Sequence, residues 1–270
     1  MKIIGEKING TRKRVAEAIA ERDADYIKDL AIKQTGAGAD WLDVNAGTRP
    51  SQEPDDLIWL VENIQSVVDT PLCLDSANPK ALSVAMRAVD KTPMINSISG
   101  EPERLEGILP IVAEHGCEVI SLAMDEKKIP ETSEKRVAVV HKVIQATRAA
   151  GIPDGKIYVD PLVMTISTNI QSGLIFLDTL QAVQAAYSEV HFSAGLSNIS
   201  FGLPARSYIN RAFLTLALQS GLDSAIIDPL DQELKATLLA AELVLGRDHH
   251  CLNYIRAYRA GVFKTFSEAG

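Results

Sequence analysis

Eight short apolar stretches of this chain end on, or run into, carboxylates and side-chain amides. Glu6 and Asn9 close KIIGEKIN, Asp43 and Asn45 close WLDVN, Asp75 closes LCLD with Asn78 just after it, and Asn96 interrupts MINSISG. Met124 and Asp125 end VISLAMD, Asp160 ends IYVD, Asn198 ends HFSAGLSN and Asp228 ends SAIID. Lys7 is the lysine at these tips. Such a set offers many acceptors and few cations.

An isolated Asp or Asn after a strand commonly serves as a helix N-cap or an Asx turn. Asn78 before Pro79, and Asp125, read that way. Asp75, Asn96, Asp160 and Asn198 differ because they lie inside apolar runs, where a buried carboxylate or amide must find donors. With few cations at hand, those donors belong to a ligand. Phosphate and other anions want Lys, Arg or helix N-termini, so they suit this set poorly. Oxygen-rich sets do hold Mg²⁺ or Ca²⁺, yet the tips carry no tight acidic cluster and no His pair at ligand spacing. No tightly bound metal is expected. A neutral heterocycle with an amino group and ring N–H donors fits better, since one carboxylate accepts two parallel hydrogen bonds from that edge. A reduced pterin is such a molecule.

The elements that must bring these tips together follow from the patterning. Amphipathic stretches such as DDLIWLVENIQSVVD, EKRVAVVHKVIQATRAAG and DQELKATLLAAELVLG separate the apolar runs. Eight strands alternating with helices imply parallel pairing through right-handed crossovers. From Glu6 to Asp228 the tips recur at an average of roughly 32 residues, room for a strand, a helix and two loops. The economical fold is an α/β (β/α)8 TIM barrel, whose C-terminal strand ends converge on one mouth. A doubly wound sheet is the rival, but no GxGxxG follows a strand. One domain over 1–270 is expected, with a short helical tail over about 247–270.

Composition narrows the partners. The 270 residues carry a net charge of −8 and a pI near 5.2, which argues against nucleic acid. No apolar run reaches the length of a membrane span, and MKIIGEKING lacks the apolar core of a signal peptide. Cys73, Cys117 and Cys251 are odd in number and widely spaced, which reads as reduced thiols in a cytoplasmic protein. His115 and His141 fall in helical patterns, His191 begins the seventh strand at its noncatalytic end, and His249, His250 and Cys251 adjoin one another without further ligands.

GEKIN, LDVNAG, LCLDSAN, MINSISG, YVDPLV and GLSNISFGLPAR followed by INRAF, in this order and at these spacings, resemble the methyltetrahydrofolate:corrinoid methyltransferases. The likeness runs from Met1 to about residue 260. It implies a pterin-binding barrel shared with cobalamin-dependent methionine synthase and, more distantly, dihydropteroate synthase. By that resemblance Asp75, Asn96 and Asp160 hold the pterin ring, and Asn198 approaches N5 and stabilises its positive charge. Glu6, Asp43, Asn45, Gly195 and Ser197 complete the wall, and Arg206 lies in a covering loop facing the folate tail. The implied chemistry moves a methyl group between N5 of tetrahydrofolate (as 5-methyltetrahydrofolate) and the cobalt of a corrinoid, a cobalamin borne by a partner protein. A homodimer is implied too.

The tail CLNYIRAYRAG leans toward members that run from methylcorrinoid to tetrahydrofolate in demethylase systems. The alternative is transfer from methyltetrahydrofolate to a corrinoid/iron–sulfur protein in acetyl-CoA synthesis. DHHCLN at 248–253 imitates the corrinoid-module pattern DxHxxG, but Asn253 stands where Gly is wanted, and it is read as coincidence. Dihydropteroate synthase is the nearest rival function; against it, Ser97 replaces the Asp of that family's INDxSG. A noncatalytic pterin-binding subunit and an oxygen-ligand metal lyase are the further alternatives.

Overall fold

Eight strands, Lys2–Asn9 (β1), Trp41–Asn45 (β2), Leu72–Asp75 (β3), Met94–Ser99 (β4), Glu118–Leu122 (β5), Ile157–Asp160 (β6), His191–Phe192 (β7) and Ser224–Ile227 (β8), pair in the order β7-β6-β5-β4-β3-β2-β1-β8, every pair parallel. The ring closes between the two ends of that series. Gly195 bridges Ile226, the Ile226 N–H donates to Ala194 O at 2.9 Å, and Ser224 Oγ donates to Phe192 O at 2.9 Å. This computed structural model describes residues 1–125 and 129–263 and is the (β/α)8 barrel read from the sequence.

Period-two alternation explains where the chemistry lands. Leu42, Val44, Leu72, Leu74, Ile95, Val119, Ile157 and Val159 point outward into the main core under the helices. Their neighbours Ile4, Trp41, Cys73, Met94, Ile120 and Tyr158 pack against one another as a separate plug inside the barrel. Filling that interior contributes about 1.5–3 kcal/mol for each large side chain fully removed from water. Two residues further along the strands, on the same inward face, come Glu6, Asp43, Asp75, Asn96 and Asp160. The pleat that builds the apolar plug therefore also stacks the polar layer on top of it.

Two strands are shorter than their apolar runs. HFSAGLSN supplies only His191–Phe192 to the sheet, because the small residues Ser193, Ala194 and Gly195 lead into a 3-10 turn over Leu196–Ser200. VISLAMD leaves the sheet at Leu122, where Met124 N–H turns back to Leu122 O at 2.8 Å. Both departures free backbone near the mouth.

At the opposite end of the barrel His191 sits as its sequence position implied. It stacks on Tyr158 with ring centroids 4.8 Å apart, and its Nδ1 lies 2.6 Å from Asp223 Oδ2. Asp223 Oδ1 also accepts the Phe192 N–H at 2.8 Å, so one carboxylate clasps the short β7 to the start of β8.

Gly10 and Gly47 let the loops above β1 and β2 cross. A Cβ on Gly10 would lie 1.9 Å from Ala46 O, and Gly47 has φ +61 with its Cβ position 2.6 Å from the Gly10 carbonyl carbon.

Asn78 caps the helix Pro79–Ala85 by accepting the Lys80 N–H at 3.1 Å, as its place before Pro79 implied. Asp248 accepts N–H groups from Asn253 at 3.0 Å and Tyr254 at 2.9 Å, which gives DHHCLN a local task in starting the helix Leu252–Arg259. That helix lies within the expected tail; residues 264–270 lie outside the described residues. No helix among the described residues is long and apolar enough to cross a membrane.

Candidate active site at the barrel mouth

The polar layer is densest over β2, β3 and β4. Asp43 is 3% exposed, and Nδ2 of Asn96 donates to its Oδ1 at 3.2 Å. Nδ2 of Asn45 donates to Asp75 Oδ2 at 2.8 Å. Each amide thus commits an N–H to a carboxyl group of this layer. Oδ1 of Asn45 is left buried and without a partner among the described residues. Burial pushes the Asp43 carboxyl well above the usual carboxylate range, and the neighbouring Asp75 adds to the effect. Asp75 is also raised by burial, opposed by the Asn45 hydrogen bond and the charge of Arg104. Two carboxyls crowded in a dry site resist ionising together.

Asp160 extends the layer on β6 and is 8% exposed. Its Oδ1 accepts the Leu162 N–H at 2.7 Å. Burial raises its pKa to about 6, held down by that N–H, by the Arg136 charge and by the Gly195 N–H. Arg136 is a member of the site's surroundings that the sequence reading missed. EKRVAVVHKV places it among surface-type cations, whereas in the fold it is 2% exposed beneath the β6 turn. The available signal was its helical spacing, three and four residues before Val139 and Val140 on the buried face.

The 3-10 turn Leu196–Ser200 presents Asn198, whose side chain is exposed and has no protein hydrogen-bond partner among the described residues. Gly195 makes room for it, since a Cβ there would lie 3.2 Å from Asn198 Nδ2. Arg206 begins the helix Arg206–Gln219 and turns its guanidinium onto this turn. Nη2 donates to Ser197 O at 2.7 Å and Nε to Ser200 Oγ at 2.9 Å, while Ser200 Oγ bonds Asn210 Oδ1 at 2.7 Å. Arg206 is therefore engaged with the turn that carries Asn198.

Glu6 lies across the mouth, raised by burial but held back by an ion pair with Arg12 at 2.6 Å. Lys7 pairs with Asp228. Glu6, Ser197, Arg206 and Asp228 share the walls of one cleft of about 380 Å³. The layer is polar on every strand but β5, where Leu122 stands. Among the described residues no group of three His, Cys, Asp or Glu side chains is placed to hold a metal ion. With an N–H of each amide turned onto a carboxyl group and the Asn45 oxygen left over, the arrangement suits a neutral ligand rich in N–H donors.

Residues 5–228 match the family model for pterin-binding enzymes. The chain belongs to that family. This pterin-binding enzyme is 38% identical over 263 residues to a methylcorrinoid:tetrahydrofolate methyltransferase of Eubacterium limosum, with 97% of each chain covered. It is 32% identical over 238 residues to methionine synthase of Mycobacterium leprae, a match spanning 83% of this chain and 20% of that longer protein. Together these relatives put it among the methyltetrahydrofolate:corrinoid methyltransferases, as its motifs implied. Solved structures agree on the architecture. A Yersinia pestis dihydropteroate synthase bound to a pterine–sulfa conjugate superposes with a TM-score of 0.70 over 91% of this chain and 93% of that one, at 18% identity. A Xanthomonas albilineans dihydropteroate synthase in complex with 7,8-dihydropteroate gives 0.66 over 92% and 94%, at 21% identity. At such identities the likeness speaks for the pterin-binding fold alone.

Proposed function

We propose that this chain is a methyltransferase that moves a methyl group from the cobalt of a corrinoid on a partner protein to N5 of tetrahydrofolate, the same residues serving the reverse transfer. The observation that carries this reading is the inward layer in which the Asn45 and Asn96 amides are turned with an N–H onto a carboxyl group, leaving Asn45 Oδ1 as a buried acceptor. A reduced pterin brings the complementary donors. Its amino group and adjacent ring N–H place two parallel hydrogen bonds on one carboxylate, the task of Asp160, which is ionised above about pH 6. Asp75 and Asn96 hold the rest of the ring. Asp43 and Asn45 stand behind them, fixing the Asn96 amide and the Asp75 carboxyl.

A docked corrinoid supplies a methyl group whose bonding electrons remain with cobalt. The chain's own part is to bind the pterin, aim N5 at the opening of the barrel and favour its changing charge. N5 becomes positive as its new bond to carbon forms, then releases its proton to water. Asn198 stabilises that charge through its amide dipole and does not titrate while doing so. A preorganised dipole of this kind is worth about 10²–10³ in rate. The Asp248 carboxylate is occupied in helix capping, which fits a corrinoid arriving on another protein. Phe201, three residues after Asn198, is 66% exposed, and Ile170, on the loop after β6, and Tyr208, on the helix that follows this turn, are 82% and 71% exposed. Large apolar side chains grouped at a rim suit a protein partner.

The test is anaerobic and spectroscopic. Protein, tetrahydrofolate and free methylcob(III)alamin are mixed and the appearance of cob(I)alamin is followed, with 5-methyltetrahydrofolate and cob(I)alamin for the reverse. Turnover establishes the activity and shows the favoured direction. Pterin binding without turnover in either direction, with a corrinoid protein also supplied, would leave a noncatalytic pterin-binding subunit. No pterin binding would sink the assignment.

A further inference from the structure

We infer that Arg136 is a positioning residue for pterin recognition, holding the β6 turn so that the Asp160 carboxyl faces the site as an acceptor. A guanidinium this deeply buried is costly unless its donors are used. Among the described residues its partners are all backbone carbonyls: Nε donates to Pro130 O at 2.9 Å, and Nη1 to Pro161 O and Leu162 O, both at 2.7 Å. No carboxylate among the described residues forms an ion pair with it. One side chain from the helix Ser133–Ala149 thereby ties the loop after β5 to the turn after β6.

That turn is the one that shapes the site. Pro161 and Leu162 directly follow Asp160. Leu162 has φ +69, a backbone conformation that costs on the order of 1–3 kcal/mol for a side chain of this kind. Its carbonyl is held by Arg136 while its N–H grips Asp160 Oδ1 at 2.7 Å. The fork thus fixes both sides of the strained peptide that aims the carboxyl.

Charge acts in the same direction. Asp160 is faced by Leu122 and the Ala123 N–H from the β5 side and by Ser193 and the Gly195 N–H from the β7 side, none of which titrates. Among the described residues Arg136 is the charged side chain that acts on it. Burial drives Asp160 toward the protonated form, and the guanidinium opposes this. A protonated Asp160 offers one acceptor fewer to the pterin edge, so losing Arg136 removes both aim and charge.

The inference rests on the pterin-binding reading, and one experiment separates the two. Tetrahydrofolate affinity is measured by anaerobic calorimetry for wild type, Arg136→Met and Arg136→Lys from about pH 5.5 to about pH 8.5, with circular dichroism as the check of folding. In wild type, affinity falls as pH drops through the Asp160 range. In Arg136→Met the midpoint of that fall moves up by about one pH unit, so affinity drops about threefold near pH 6.5, approaches a tenfold loss near pH 5.5, and partly recovers at high pH. Arg136→Lys keeps the charge and loses the fork; it binds more weakly at every pH with the wild-type midpoint. A folded Arg136→Met with the wild-type midpoint overturns the proposal, even with uniformly weaker binding. Should Arg136→Met not fold, Arg136→Lys decides, and wild-type affinity there overturns it. Wild type that binds no tetrahydrofolate at any pH overturns the pterin reading itself, and the role of Arg136 with it.

Discussion

Asn45 and Asp75 are locked together across β2 and β3 by a 2.8 Å hydrogen bond from Nδ2 to Oδ2, and the lock leaves Asn45 Oδ1 buried with no partner among the described residues. The two strands are registered so that Val44 pairs with Leu74, which brings the next inward-facing residues of both strands side by side. A carboxylate accepts only, so it dictates which end of the amide faces it and which end faces the ligand. The free oxygen then costs folding energy until a donor arrives.

Replacing Asn45 by Ala removes that acceptor and releases the Asp75 carboxyl. Tetrahydrofolate should bind more weakly by about 1–3 kcal/mol, a roughly tenfold to hundredfold rise in Kd. Thermal stability should change little, because removing the unsatisfied Oδ1 offsets the lost hydrogen bond to Asp75. Calorimetric titration of the folded variant checks this, and undiminished affinity would remove Asn45 from the binding wall.

Asp43 makes a prediction about stability. Its carboxyl titrates higher in the folded protein than in the unfolded chain, chiefly through burial and then through Asp75. A raised folded value means stability that is complete below the ordinary carboxylate range and is lost as pH rises through the raised value. Asp43→Asn cannot ionise and still offers an acceptor to Asn96. The variant should melt above wild type at pH 8, on the order of a few degrees, with the difference closing toward pH 4. Melting curves at several pH values decide it, since a pH-independent difference would mean that Asp43 carries no such cost.

The Asn198 turn predicts an effect on rate without one on binding. In Gly195→Ala the new Cβ would stand 3.2 Å from Asn198 Nδ2 and displace the amide, although the backbone there, at φ −73, accepts alanine without strain. Arg206→Met frees the turn from the other side by deleting the bonds to Ser197 O and Ser200 Oγ. Both should lower kcat by about tenfold or more and leave the tetrahydrofolate Kd within about threefold, approaching the 10²–10³ loss expected of Asn198→Ala. Single-turnover rates beside equilibrium binding make the comparison. Equal losses in both quantities would place Asn198 in ground-state binding instead.

The polar layer was legible in the sequence because a strand repeats every two residues. Ile4 to Glu6, Trp41 to Asp43, Cys73 to Asp75, Met94 to Asn96 and Tyr158 to Asp160 each step from the barrel plug to the mouth on one face. Asn78 was legible as a cap because Pro79 cannot follow a helical residue comfortably. Which amide meets which carboxyl was not, since Asn45 finds Asp75 and Asn96 finds Asp43 through strand register alone. Arg136 was hidden for a related reason. Its acceptors come from both sides of it in sequence, Pro130 six residues before and Leu162 twenty-six after, and only the crossover between β5 and β6 brings the two loops over one helix. Nor does the apolar run HFSAGLSN show where β7 stops, because the clasp that ends the strand belongs to Asp223 on another segment.

The rim of Ile170, Phe201 and Tyr208 separates docking from chemistry. Thr165 Oγ1 donates to Phe201 O at 2.6 Å and Ser167 Oγ to the same oxygen at 3.0 Å, so the loop leading to Ile170 and the turn carrying Phe201 move as one piece. Exposed side chains on such a piece add little to folding, and changing them should leave melting within about half a kcal/mol of wild type. If a corrinoid protein covers this rim, Phe201→Ser together with Tyr208→Ser should raise the KM for that protein about tenfold or more, as loss of aromatic anchors does at interfaces. Turnover with free methylcob(III)alamin, which needs no protein surface, should stay near wild type. A double variant that slows both reactions alike would place these aromatics in the folate site, and one that slows neither would move the docking surface elsewhere on the mouth.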